Sequence, residues 1–144
     1  MKILVLYGPN LNLLGWISRN TGSRLTLDRL NRSLRRKARE LDVELKIFQS
    51  QSESDASKLL QGQRNKVAGV LLVPGIWAET GRLLQETLAI TGLPLAAFYL
   101  EPESGPWHNH KASIFRDRAV LEAQGVRPEA LDALLQRFAE HLRS

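Results

Sequence analysis

Two runs of aliphatic residues constrain the fold of this chain more than any other feature. Lys2–Tyr7 reads KILVLY and residues 67–73 read VAGVLLV, and neither alternates apolar with polar side chains. A strand with that pattern must be buried on both faces, which is the condition of a parallel sheet lying between helix layers. The segments around these runs supply the helices. Thr26 is placed to cap a helix on which Leu27, Leu30, Leu34, Ala38 and Leu41 recur at helical spacing. Residues 43–48 alternate as a half-buried strand does, and Ser52 to Asp55 offer caps for a short helix through Leu59 and Leu60. Pro74-Gly75 closes the second buried strand, and a helix over 80–91 is expected to stop at Gly92 with Pro94 beyond it. Residues 95–100 form a further strand and 118–123 a weaker one. A last helix opens at Pro128 with Leu131, Leu134, Leu135, Phe138 and Leu142 as its apolar stripe.

The predicted order, β-α-β-α-β-α-β-loop-β-α, implies an α/β doubly wound parallel sheet of five strands with helices on both faces. In such folds ligands sit beyond the carboxyl ends of the strands, here at the loops 8–23, 74–79 and 101–112. The 144 residues, 43% hydrophobic and 24% charged, fit one globular domain spanning 1–144. Absence of cysteine removes disulfides, thiolate catalysis and Cys-ligated zinc. No run is long and apolar enough to span a bilayer and no leader pattern opens the chain, so a cytoplasmic protein is expected. The net charge of +5 has much of its excess in Arg29, Arg32, Arg35, Arg36, Lys37 and Arg39. Without interleaved aromatic residues to stack bases, that cluster reads as a solvated helix face or a subunit contact rather than a nucleic-acid surface.

The opening KILVLYGPNLNLLG, residues 2–15, closely resembles that of the type II 3-dehydroquinate dehydratases. Length, element order, the Pro74-Gly75 turn and the last helix agree with the resemblance. It implies a flavodoxin-like fold, a homo-oligomer built from trimers up to a dodecamer, and a trans elimination of water without metal or cofactor. It further implies a lid tyrosine as base beside an arginine, an asparagine holding the water that stabilises an enolate, and a histidine as acid. Asn10 matches the asparagine. The lid, residues 15–22, reads GWISRNTG and lacks the tyrosine, with Arg19 the candidate replacement for the arginine. Val73 stands at an asparagine that anchors substrate hydroxyls and Glu79 at a substrate-binding histidine. Tyr99 stands at the catalytic histidine, Ala97 at its supporting glutamate and Glu101 at a carboxylate-binding serine. Pro106 stands at an arginine, and Glu86 keeps an acidic position.

All three tryptophans, Trp16, Trp77 and Trp107, fall in the three loops of the expected site, and indole suits an apolar ligand. Glu79, Tyr99, Glu101 and His108 are the candidate acids and bases. Asn10, Trp16, Arg19, Trp77, Trp107 and His110 are the candidate contacts to a small-molecule substrate. His108 and His110 with Glu101 and Glu103 are a weak metal pattern, and no metal or other cofactor is assigned. These departures favour a repurposed cofactor-free enzyme, performing an elimination, isomerisation or cyclisation on a small hydrophobic or aromatic molecule. A non-catalytic binding or assembly protein, and a true dehydroquinate dehydratase, are the alternatives.

Overall fold

The computed structural model describes residues 1–20, 24–101 and 112–144. Strands β1 (Lys2–Tyr7), β2 (Glu44–Gln49), β3 (Gly69–Val73), β4 (Leu95–Leu100) and β5 (Leu121–Gly125) form one parallel sheet in the order β2-β1-β3-β4-β5. This is the flavodoxin-like arrangement, with the chain reversing direction of travel between β1 and β3. The three central strands are buried almost throughout, as unbroken apolar runs require, whereas edge strand β2 is partly exposed.

Helix α2 (Leu27–Leu41) and helix α6 (Pro128–Arg143) cover one face through Leu30, Leu34, Leu131, Leu135 and Phe138. Helix α3 (Glu53–Gln63) and helix α5 (Arg82–Thr91) cover the other through Ala56, Leu60, Leu84 and Leu88. The Thr26 hydroxyl accepts from Arg29 N at 3.0 Å and the Ser52 hydroxyl from Asp55 N at 3.2 Å, the two caps read from sequence. Gly92 ends α5 in the left-handed conformation, where its missing Cβ removes the strain. On α2, Arg32 pairs with Asp28 and Lys37 with Glu40 within the helix.

Three expectations change in detail. The first loop contains a 3-10 turn, Leu11–Leu13, and helix α1 (Leu14–Ile17), because Leu11 and Leu14 share one face and are fully buried. The helix expected over 80–91 is two, α4 (Trp77–Thr80) and α5, separated at Gly81, whose backbone leaves the helical region. The last strand is displaced to 121–125, since Arg118 N and Ala119 N bond back to Phe115 O in a turn and Val120 N begins the pairing with Leu95 O.

Candidate active site

The carboxyl edge of the sheet is built first from the turn after β1. Gly8 N donates to Val73 O at 2.8 Å, joining the β1 and β3 loops. An added Cβ at Gly8 would stand 2.1 Å from Pro74 O, so no larger residue fits between them. Asn10 then adopts a left-handed conformation, φ 67, which asparagine tolerates better than most side chains. Its position is fixed from the end of β2. Gln51 Oε1 accepts from Asn10 N at 2.6 Å, and Gln51 Nε2 donates to Asn10 Oδ1 at 3.0 Å. Gln49 Nε2 ties the pair down, donating to Gly8 O at 3.0 Å and to Gln51 Oε1 at 2.9 Å. With its oxygen engaged, Asn10 keeps its NH2 group as a donor toward an oxygen or a water.

The second part lies at the end of β4. Tyr99 is 4% exposed and packs on Ala78 and Ala97. Its hydroxyl lies 2.9 Å from Ser113 Oγ and 2.8 Å from Glu122 Oε2. The phenol has one proton, which goes to the carboxylate, while Ser113 donates to the phenol oxygen. Burial first, then the Glu122 charge, holds the Tyr99 phenol well above its ordinary range, although the Ser113 bond opposes the shift. It stays protonated throughout the neutral range. Arg116 Nε stands 3.6 Å from the other Glu122 oxygen.

The remaining candidates occupy different settings. Trp77 is 3% exposed and belongs to the core beneath Gly8, whereas Trp16 is 66% exposed with the Arg19 guanidinium 3.9 Å over its ring. The Arg19 Nη1 also donates to Trp16 O at 2.5 Å, folding this residue onto the indole. Glu79 is exposed on α4, and Glu101 is partly buried with its backbone N donating to Gly125 O at 3.2 Å. Trp107, His108 and His110 lie outside the described residues. Among the described residues no group of three His, Asp or Glu side chains is arranged to hold a metal, and no helix is long and apolar enough to cross a membrane.

Sequence reasoning missed Gln49, Gln51, Ser113 and Glu122. The glutamines carried a usable signal, because a strand ending next to β1 must deliver its following residues to the Asn10 turn. Glu122 carried a weaker one, a charged residue inside a short strand.

A parallel 2-1-3-4-5 sheet with a polar cluster at its carboxyl edge defines a flavodoxin-like protein, a fold class in which ligands sit at that edge. The chain belongs to the class II dehydroquinases: the model of the family described as "Dehydroquinase class II" matches residues 1–137. The 3-dehydroquinate dehydratase of Prochlorococcus marinus is 31% identical over 144 residues, covering 100% of this chain and 97% of that protein. The 3-dehydroquinate dehydratase of Nitrosomonas eutropha is 34% identical over 136 residues, or 94% of each chain. In structure, the type II dehydroquinase of Butyrivibrio crossotus aligns with a TM-score of 0.80 over 100% of this chain and 98% of its own, at 20% identity.

These matches correct the expectation of an enzyme repurposed for a hydrophobic or aromatic substrate, with its alternative of a non-catalytic assembly protein. The relatives that match along nearly the whole chain are dehydratases of 3-dehydroquinate. That expectation rests on the missing lid tyrosine and catalytic histidine and, for its hydrophobic substrate, on an indole-walled pocket. Trp77 is instead spent on the core, and the outward-facing Trp16 is covered by Arg19.

Proposed function

We propose that this chain eliminates water from 3-dehydroquinate, as its relatives are named for doing, with proton handling rebuilt from its own residues. The observation that carries the reading is the agreement with dehydratases along almost the full chain, 31% identity over 144 residues and 34% over 136. A base takes the proton next to the ketone, and the C–H electron pair forms an enolate. The Asn10 NH2, fixed by Gln51, faces the developing oxyanion directly or through a water. Collapse of the enolate expels hydroxide from the neighbouring carbon, and that oxygen takes a proton from an acid, for which Tyr99 is one candidate.

Glu79 and Glu101 are the candidate bases and His108 a second candidate acid. Arg19, Trp16, Trp107 and His110 are the candidate outer contacts to substrate. This departs from a tyrosine base and histidine acid, since the corresponding positions hold neither. The reading includes a trimer-based homo-oligomer up to a dodecamer, checked by light scattering, a single domain over 1–144, and a cytoplasmic location.

The test is direct. Purified protein is mixed with 3-dehydroquinate and the conjugated enone product is followed by ultraviolet absorbance. Turnover is expected, and Asn10→Ala should reduce kcat by about 10²–10³, the loss typical of a removed oxyanion donor. No enone formation above the uncatalysed rate would overturn the proposal.

A further inference from the structure

We propose that the cleft between α2 and the start of α6 binds a small ligand carrying two or more phosphoryl groups. Residue spacing sets one wall. Arg29, Arg32 and Arg36 stand three and four residues apart, so they follow one face of α2. Between them Ser33 donates to Asp132 Oδ2 of α6, and this bond, with the packing of Leu30, Leu34 and Leu131, holds the two helices together. Arg24, ahead of α2, and Arg127, the residue before α6, stand where both helices begin.

Two adjoining hollows result. One, of about 260 Å³, is lined by Arg24, Arg29 and Arg127. The other, of about 360 Å³, is lined by Arg29, Arg32 and Arg36, and Pro128 and Glu129 border both. Among the described residues Asp28 pairs with Arg32 at 3.2 Å, and no carboxylate pairs with Arg24, Arg29, Arg36 or Arg127. Guanidinium groups from three segments thus border these hollows against the single carboxylate of Glu129, and the positive potential they add together favours an entering anion. Arg29 Nη1 donates to Arg24 O at 2.7 Å, which holds that guanidinium in place and leaves the rest of its fork to a ligand. Such forks match phosphate oxygens two at a time, and the positive end of α6 meets the same hollow. Pockets for organic ligands begin near about 300 Å³, so each hollow suits a small molecule. Among the described residues no aromatic side chain lines either hollow to stack a base, which leaves the phosphate groups as the recognised part.

Isothermal titration calorimetry of sodium tripolyphosphate into the intact protein, at about 0.15 M salt, tests the site. Saturable binding is expected. The double variant Arg29→Ala, Arg127→Ala should weaken it at least about ten-fold, the value of one lost hydrogen bond to a charged group. Arg29→Lys with Arg127→Lys, which keeps both charges but removes the forks, should weaken it too. Arg39→Ala with Arg137→Ala removes two exposed arginines outside the cleft and should change affinity less than about two-fold. ATP, which carries the same chain on a nucleoside, should lose affinity in parallel with tripolyphosphate. Absent binding, equal losses in the cleft and control pairs, or ATP affinity that survives loss of the cleft arginines would overturn the proposal. Light scattering covers the remaining occupant: a parent protein that does not bind, with an altered oligomer mass in the cleft variant, assigns the cleft to a second copy of the chain and overturns it as well. The readout is binding, so its outcome is separate from turnover of 3-dehydroquinate.

Discussion

Replacing Gly8 by alanine tests how tightly the two central loops of the site are joined. The new Cβ would meet Pro74 O at 2.1 Å and Pro74 C at 2.8 Å, whereas ordinary contact begins at 3.4 Å. The atoms in the way are backbone, so no side chain can rotate to relieve them, and the loops must part by about 1.3 Å, the difference between 3.4 and 2.1 Å. That movement stretches the 2.8 Å bond from Gly8 N to Val73 O beyond hydrogen-bonding range. Overpacking of this kind costs about 1–3 kcal/mol, and an unpaired buried amide adds about as much again. Taking about 3 kcal/mol in total, at about 2–4 °C per kcal/mol for a chain near this size, Tm should fall by about 6–12 °C. Gly62→Ala is the internal control. Gly62 lies within α3 and nothing stands within 4 Å of an added Cβ, so alanine there should raise stability by about 0.5–1 kcal/mol. Circular dichroism melts of both variants decide the matter. A Gly8→Ala protein whose Tm stays within about 2 °C of the parent, less than 1 kcal/mol on the same scale, would refute the close approach and with it the placement of Asn10.

The two described tryptophans should separate sharply by thermal melting. Trp77→Ala removes a core indole and should cost about 3–5 kcal/mol, while Trp16→Ala removes an exposed ring from beneath its arginine and should cost less than about 1 kcal/mol. Alkaline unfolding supplies a pH prediction. Burial, reinforced by the nearby Asp132 charge, raises the Tyr7 phenol above its ordinary value of 10.0. The folded state therefore keeps a proton that the unfolded chain releases, and this contribution, fully present below pH 10, is lost as pH rises further. Tyr7→Phe should move the alkaline unfolding midpoint upward, and an unchanged midpoint in urea titrations above about pH 10 would contradict the burial of that phenol.

Much of the frame was legible because it depends on local chemistry. The unbroken aliphatic run of β1, the Thr26 and Ser52 caps, the Gly92 stop and the stripe from Leu131 to Phe138 each follow from rules that need no distant partner. The misjudged features depend on distant ones. Trp77 lies in a loop by sequence, yet the narrow Gly8 crossing above it closes the core over its ring. The break at Gly81 is supported by Glu53, which accepts from Leu84 N at 2.8 Å across 31 residues and so starts α5 afresh. Tyr99 is a candidate from its place at the end of β4, but its partners Ser113 and Glu122 emerge only when β5 is paired with β4.

The two halves of the carboxyl edge differ in how they are held, and the difference bears on chemistry. On the β1 side a short polar chain, Gln49 to Gln51 to Asn10, presents an amide donor whose geometry is set by uncharged bonds, which suits a fixed oxyanion contact. On the β4 side the partner of the Tyr99 hydroxyl is a carboxylate, and a carboxylate deep within the sheet would carry a heavy desolvation cost. Placing it on β5 answers that constraint. As an edge strand, β5 leaves the Glu122 side chain 26% exposed and within reach of Arg116, while its tip still touches a phenol that is almost wholly enclosed. A carboxylate at residue 97, on a fully buried strand between β3 and β5, would have neither solvent nor, in this sheet, the half-open edge that Arg116 occupies. With alanine at 97, the carboxylate that accepts the Tyr99 hydrogen bond is Glu122, one strand further out.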